Sequence, residues 1–281
     1  MSKASQRTHT YQAEGKVLEG KLVLPLEHTI YPQQHAKLAA EGGYDFHHSN
    51  GFQVEGVLSY GAARSHTAGN EGVKDGAGWE TLSTTVIEDL NVLEILTADR
   101  IVGQIILSHP AEGYVPEISF LGTRFENLRI GGYPVDLAVD LNILGEKPAK
   151  DGAYSQDEGV LERVSGQYEK ILKSKKLPDA LGEHYNRLSS KLKGSEEFKC
   201  SLVTKAGGLF PGTSHGNVIV IPNFGTITLA EVTVTHSGFD KKTGKYKKTK
   251  VDLKMLDLHL GCPIHGNLGI GNGTGNGTSD P

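Results

Sequence analysis

The sequence predicts a mainly β fold, a β-sandwich or distorted barrel carrying a two-helix insertion. Three observations predict it. Residues 79–143 read as consecutive strands with almost no helical signal. Their clearest piece, Val135 to Ile143, places Val, Leu or Ile at every odd position and Asp, Ala or Asn at every even one. That period of two leaves one face dry and the other wet. The 281 residues include 36 glycines, in keeping with short strands and many tight turns.

Residues 1–14 read as a flexible N-terminus. From Lys16 the chain is extended, with Val17, Leu18, Leu22 and Leu24, up to Pro25. Tyr31 to Ala40 fits either a short helix or a strand. Gly42-Gly43 is a turn, Phe52–Ser59 a strand, and the glycine- and charge-rich stretch Ala62–Gly78 a long loop or hairpin tip. Strands follow at Glu80–Ile87, Leu93–Leu96 and Ile101–Ser108. The last is apolar on both faces, which predicts a central, covered strand. Pro110 to Pro116 is a loop. Phe125–Ile130 and Val135–Ile143 form a hairpin through Gly131-Gly132-Tyr133-Pro134.

At 155–195 the period becomes 3.6. Val160, Leu161, Val164, Tyr168, Ile171 and Leu172 make one stripe; Leu181, Tyr185, Leu188 and Leu192 make another, with Pro178 between them. Ser155-Gln156-Asp157-Glu158 has capping-box spacing. Strands resume at Asn217–Ile221 and Thr226–Thr235. The apolar phase slips within the latter, from Ile227 and Leu229 to Val232 and Val234, which predicts a β-bulge near Ala230. The same slip separates Val251/Leu253/Met255 from Leu256/Leu258/Leu260. Lys241 to Lys245 is a charged hairpin tip, and the Gly/Asn/Thr/Ser run 266–281 reads as a disordered tail. The expected organisation is one β-rich domain, 15–265, with no internal repeat.

Net charge is −4 and the pI near 6.3, so no global field draws the chain to nucleic acid. The lysines from Lys241 to Lys250, with Tyr246 among them, read as an edge guard rather than a phosphate-binding patch. No apolar run is long enough for a membrane-spanning helix. The first ten residues lack an apolar signal region, which predicts a cytoplasmic chain and leaves non-Sec export open. Cys200 and Cys262 read as two free thiols ahead of a disulfide.

Catalytic and cofactor motifs are sparse. No phosphate-cradling glycine loop opens a helix, so no cofactor is expected. Gly212-Thr213-Ser214-His215-Gly216 sets a serine beside a histidine, but sequence neighbours rarely face each other, and a plain loop is the favoured reading. Asp136 and Asp140 on one strand lie about 13 Å apart, beyond the roughly 5–9.5 Å separation of glycosidase carboxyls. They read as a solvated face. Asp99-Arg100 reads as a structural ion pair at a strand entry. Asp99, His109 and Glu231 are the catalytic candidates. His259, Cys262 and His265 are the metal candidates, set against a reading as surface groups. The two Asn-Gly-Thr sequons in the tail follow from its composition and matter only in a glycosylating host.

Several segments are family-like. They are Gly56-Val57-Leu58-Ser59, Val86 to Leu93 running into Leu96-Thr97-Ala98-Asp99-Arg100-Ile101, Phe125-Glu126-Asn127-Leu128-Arg129-Ile130-Gly131-Gly132-Tyr133-Pro134-Val135, and Ile221 to Glu231. Their order resembles a group of bacterial proteins of unknown function. It is also distantly similar to the surface-protein module called choice-of-anchor P, over residues 50–143 and 217–260. The resemblance implies a fold class and no catalytic residue. The surface module implies secretion, which this N-terminus does not carry.

The expected function is a non-catalytic β-rich module that self-assembles or binds a partner protein. The alternative is an enzyme or ligand-binding protein for a small hydrophobic molecule or sugar. An enzyme would need three or more of His28, His47, His109, Asp99 and Glu231 in one pocket. A metal- or glycan-binding module is a third reading.

Overall fold

A computed structural model describes residues 8–25, 27–72, 77–261 and 264–280. The first half of the chain is β1 (Thr8–Leu24), β2 (His28–Gln33), β3 (Ala36–Lys37), β4 (Gly43–Ser49), β5 (Phe52–Val54), β6 (Leu58–Tyr60), β7 (Ala62–Glu71), β8 (Ala77–Val92), β9 (Leu96–Pro110), β10 (Glu117–Ser119), β11 (Arg124–Glu126), β12 (Arg129–Ile130), β13 (Tyr133–Pro134) and β14 (Asp136–Val139). Helices α1 (Glu158–Leu172) and α2 (Asp179–Lys191) follow. The chain then returns as β15 (Glu197–Ser201), β16 (Val203–Gly207), β17 (Thr213–His215), β18 (Val218–Ile221), β19 (Gly225–Asp240), β20 (Lys245–Leu260) and β21 (His265–Asp280).

Among the described residues these strands make three antiparallel sheets. A nine-stranded sheet runs β17-β18-β19-β20-β21-β1-β2, with β15 on β19 and β3 on β1. A ten-stranded sheet has the path β13-β12-β9-β8-β6-β5, with β7 also on β8, β4 on β7, and β10 and β11 on β9. β14 and β16 form a small third sheet. The two large sheets pack face to face, β1 and β21 over β7, β8 and β9. Neither closes on itself, so the architecture is a sandwich and not a barrel.

The sheets meet over two chemically different zones. One is a conventional core of Val, Leu, Ile and Phe, including Leu90, Leu96, Ile101, Phe120 and Ile130. The other is a seam of small residues. Gly15 and Gly273 face Ser65, Ser83 and Thr85; Gly275 faces Ile105 and Leu107; Gly277 faces His9 and His109. A Cβ on Gly275 would sit 2.9 Å from Leu107 Cδ1, and one on Gly277 2.7 Å from His109 Nε2. The seam also carries polar links between sheets: Ser83 Oγ donates to the Glu14 carbonyl at 2.7 Å, and Ser65 Oγ donates to the Gln34 carbonyl.

This seam explains two departures from the sequence reading. Residues 266–281 were expected to be disordered, yet β21 pairs along most of its length with β1 on one side and β20 on the other. Its odd positions 269–277 are glycine, and from Gly271 on they form the buried face. The intervening Asn272, Thr274 and Asn276 point outward. Ala62–Gly78 was expected to be a loop or hairpin tip. Residues 62–71 are instead strand β7, its buried face made of Ala63, Ser65, Thr67 and Gly69. The flexible N-terminus must be shortened too: Thr8 already pairs with Asp280, and residues 1–7 lie outside the described set.

The phase slips are real, but the predicted bulge is not one. Leu229 pairs with Leu256 and Glu231 with Lys254, so register is the same on both sides. Ala230 takes φ 44°, which turns Leu229 and Ala230 to the same buried face. The kink continues across the sheet through the buried doublets Met255-Leu256, Ile270-Gly271 and Val17-Leu18. A bulge needs two residues opposite one; here each strand skips one residue together.

Three strand assignments also change. Phe52–Ser59 is not one strand but the hairpin of β5 and β6, turning at residues 55–57. Val135–Ile143 is strand only over Asp136–Val139, because β14 leaves the β12–β13 hairpin to pair with β16 and the chain then turns Ile143 and Leu144 into the core. Leu93–Leu96 is mostly a turn, with Leu93 and Glu94 at positive φ. The helices fall as predicted. Val160, Val164, Tyr168 and Ile171 are buried along α1, and its cap is Asp157, whose carboxylate accepts from Val160 N at 2.9 Å.

The seam should be intolerant of a single methyl group. Gly275→Ala and Gly277→Ala are each expected to lower stability by about 1–3 kcal/mol through overpacking, while Asn276→Ala, on the outward face of the same strand, changes it by less. Urea denaturation of the three variants checks this.

Candidate functional site

The alternation that buries glycine on β21 builds a polar surface on its other side. Strand register aligns the outward side chains into rows. Lys16, Asn272, Lys254 and Glu231 form one; Glu14, Thr274, Asp252 and Thr233 the next; Gln12, Asn276 and Lys250 the third. Beside the first row the kink turns two consecutive residues of each strand inward. Outward residues there are three apart instead of two, and on β21 the next outward position is Gly269, without a side chain. The next outward row, Glu19, Gly269, Asp257 and Thr228, is therefore set further off and has no side chain at Gly269, which leaves the surface hollow there.

The result is a groove of about 590 Å³ on the outer face of the nine-stranded sheet, closed at its ends by Lys37 and Leu38 after β3 begins and by Lys199 on β15. Among the described residues, five lysines and four carboxylates line it. The carboxylates are all paired. Glu231 meets Lys199 at 2.7 Å, Asp252 meets Lys250 at 2.8 Å, Glu19 meets Lys16 at 3.2 Å, and Glu14 meets Lys37 at 3.4 Å. Burial pushes the Glu14 carboxyl up, but His35 and Lys37 outweigh it and hold it below its ordinary value.

The amides complete the lining. Asn276 Nδ2 donates to Gln12 Oε1 at 3.0 Å, and Asn272 Nδ2 to Glu19 Oε1 at 3.4 Å. Thr274 Oγ1 donates to Asp252 Oδ1 at 2.6 Å. The Oδ1 atoms of Asn272 and Asn276 are buried and accept no hydrogen bond among the described residues. Buried acceptors of this kind normally have a partner. The asparagines of both Asn-Gly-Thr sequons thus stand in the groove. Sequence reading missed this site, although the Gly-X alternation of residues 269–277 was its visible signal.

The sequence-derived candidates lie apart. Of the five residues an enzyme would need together, only Glu231 lines the groove. Asp99 is exposed on the outer face of the other sheet and accepts from Asn127 Nδ2 at 2.6 Å. Its neighbour Arg100 pairs with Glu88 at 3.4 Å. His28 is exposed at the start of β2, and His47 lies 3.3 Å from Asp45 on β4. His109 is buried at the end of β9, its ring 4.7 Å from that of His9, which stacks on Trp79. Asp136 is exposed on β14.

His259 and His265 are exposed on β20 and β21, and Cys262 lies outside the described residues. No group of three or more His, Cys, Asp or Glu among the described residues is arranged to hold a metal. Cys200 is a free, buried thiol. Gly212 to Gly216 does have the G-x-S-x-G spacing of a nucleophile elbow. That elbow requires a strand-to-helix turn. Residues 213–215 are instead strand β17, and Ser214 Oγ donates to the Ala206 carbonyl.

A family model described as Domain of unknown function (DUF8256) matches residues 9–235. The chain belongs to that family. The DUF8256 match takes in nearly all of β1, both helices, β15 and most of β19, and stops short of β20 and β21, the groove's central strands. No curated protein matches the chain. No helix among the described residues is long and apolar enough to cross a membrane.

Burial gives the histidines a consequence for acid stability. Desolvation, with smaller contributions from His9 and Lys147, lowers the His109 pKa from 6.5 to about 3, and desolvation lowers that of His236 to about 4. Between those values and 6.5 the unfolded chain binds protons that the folded chain does not, so stability falls as pH falls through this window. His109→Gln is expected to flatten the fall, as read from urea midpoints at about pH 7 and about pH 5.

Proposed function

We propose that this chain is a non-catalytic β-sandwich module that recognises another molecule through the groove on its nine-stranded sheet. The observation that carries the reading is the lining itself. It is a cavity of ligand-binding size built from ion-paired carboxylates, lysines and amides, with no serine, cysteine or histidine among the described residues that line it. A general acid or base needs a poised carboxyl or imidazole, and the groove's carboxylates are each held by a lysine.

Self-assembly is a second reading, favoured by one feature. β4 pairs only with β7 and carries Tyr44 and Phe46, 65% and 42% exposed, with near-parallel rings 6.3 Å apart. Exposed apolar edge strands pair readily with other chains.

Native mass spectrometry of the full chain separates the two. Thr274→Trp, which fills the groove from its centre, is expected to abolish bound mass and leave the oligomeric state unchanged. Loss of a defined oligomer in Tyr44→Lys/Phe46→Lys, with no groove-dependent bound mass, would replace the first reading with the second.

A further inference from the structure

We infer that the ligand of this groove is a neutral, polyhydroxylated molecule, an oligosaccharide. The inference rests on the groove reading above and names its ligand class.

The lining selects by what it offers. Five lysines face four carboxylates, so the groove has almost no net charge and gives a phosphate or polyanion no unopposed cation cluster. Ala13, Leu38 and Leu253 are its only apolar side chains among the described residues, too few to hold a hydrophobic small molecule. A partner polypeptide would want an aromatic or arginine anchor, or a free strand edge. The groove has no aromatic and no arginine. The backbone of its central strands, β20 and β21, is already engaged on both sides.

Donors and acceptors are instead interleaved at close range. The middle row presents Glu14 and Asp252, flanked by lysines on both sides. A hydroxyl group both donates and accepts, so one hydroxyl can give its proton to a carboxylate or amide oxygen and accept from a neighbouring ammonium. Asn272 and Asn276 each bring an amide to the lining. They sit four residues apart on β21, about 13 Å at strand rise, which calls for an extended chain of hydroxyls rather than a single ring.

The test uses the full chain on an array of immobilised neutral oligosaccharides built from hexoses and N-acetylhexosamines, beside anionic glycans and extended peptides. The strongest neutral glycan is then titrated in soluble form. Binding to a neutral glycan is expected, and is little changed between low and high salt. Asn272→Leu and Asn276→Leu should each weaken it by about tenfold or more by removing an amide from the lining. His48→Ala, on the other sheet, should leave it unchanged. Circular dichroism and thermal melting establish that each variant is folded. If no neutral glycan binds while Thr274→Trp still abolishes bound mass, the ligand class is wrong and the groove reading stands. A strong preference for anionic glycans, or for peptides, overturns the class in the same way. A neutral glycan that binds Thr274→Trp as well as the unaltered chain puts the sugar outside the groove and overturns the inference.

Discussion

The structure depends on the close approach of two sheets along a seam of glycine, serine and threonine. Face-packed sheets ordinarily stand about 10 Å apart, spaced by the side chains between them. Along this seam Gly15 and Gly273 meet the small side chains Ser65, Ser83 and Thr85, while Gly275 and Gly277 make room for Leu107 and His109 of the facing sheet. Such a seam gives little apolar burial in exchange for the backbone order it demands. It is tolerable because β21 is paired on both edges, and because the sandwich continues into a conventional core of large side chains elsewhere. The same alternation that supplies glycine inward supplies Asn and Thr outward, so seam and groove are two faces of one strand.

Both large sheets are kinked, in opposite senses. In the nine-stranded sheet the doublets turn inward, at Val17-Leu18, Leu229-Ala230, Met255-Leu256 and Ile270-Gly271. In the ten-stranded sheet they turn outward, at Glu88-Asp89 and Asp99-Arg100, with Asp89 and Asn127 at positive φ. The inward doublets spread the outer rows of side chains apart and, with Gly269 bare in the next row, make the surface hollow. The outward doublets crowd charge onto the opposite surface, where Arg100 meets Glu88 and Asn127 meets Asp99. Ala230 also marks where β19 exchanges β18 for β15 as its neighbour, so one backbone torsion serves both the kink and the change of partner.

What was legible in the sequence follows the size of the side chains. Strands β9, β19 and β20, and β8 from Val86 on, announce themselves because their buried faces are mostly Leu, Ile and Val. Helix α1 does so because Val160, Val164, Tyr168 and Ile171 recur at helical spacing. Even the kink is visible as a phase slip, although a slip cannot tell a bulge from a left-handed residue. Strands β7 and β21 were hidden because their buried faces are Ala, Ser, Thr and Gly, which hydrophobic patterning does not register. The groove was hidden for the same reason, since its central strand was read as disorder. In Val135–Ile143 the alternation holds only in part: Val139 is exposed where a dry face was expected, and the register shifts between Ala138 and Val139, because alternation does not show whether a partner strand is there.

The pairing of β1 with β21, Thr8 beside Asp280, joins opposite ends of the described chain in the middle of a sheet. Contacts so distant in sequence impose a large loop-closure entropy and slow folding. While β21 is absent, β1 and β20 each present a long unpaired edge, and the serine and threonine face of β8 lies open to water. A chain emerging from the ribosome would hold those edges bare until β21 arrived, so a strand whose inward face is largely glycine governs when they are covered against aggregation.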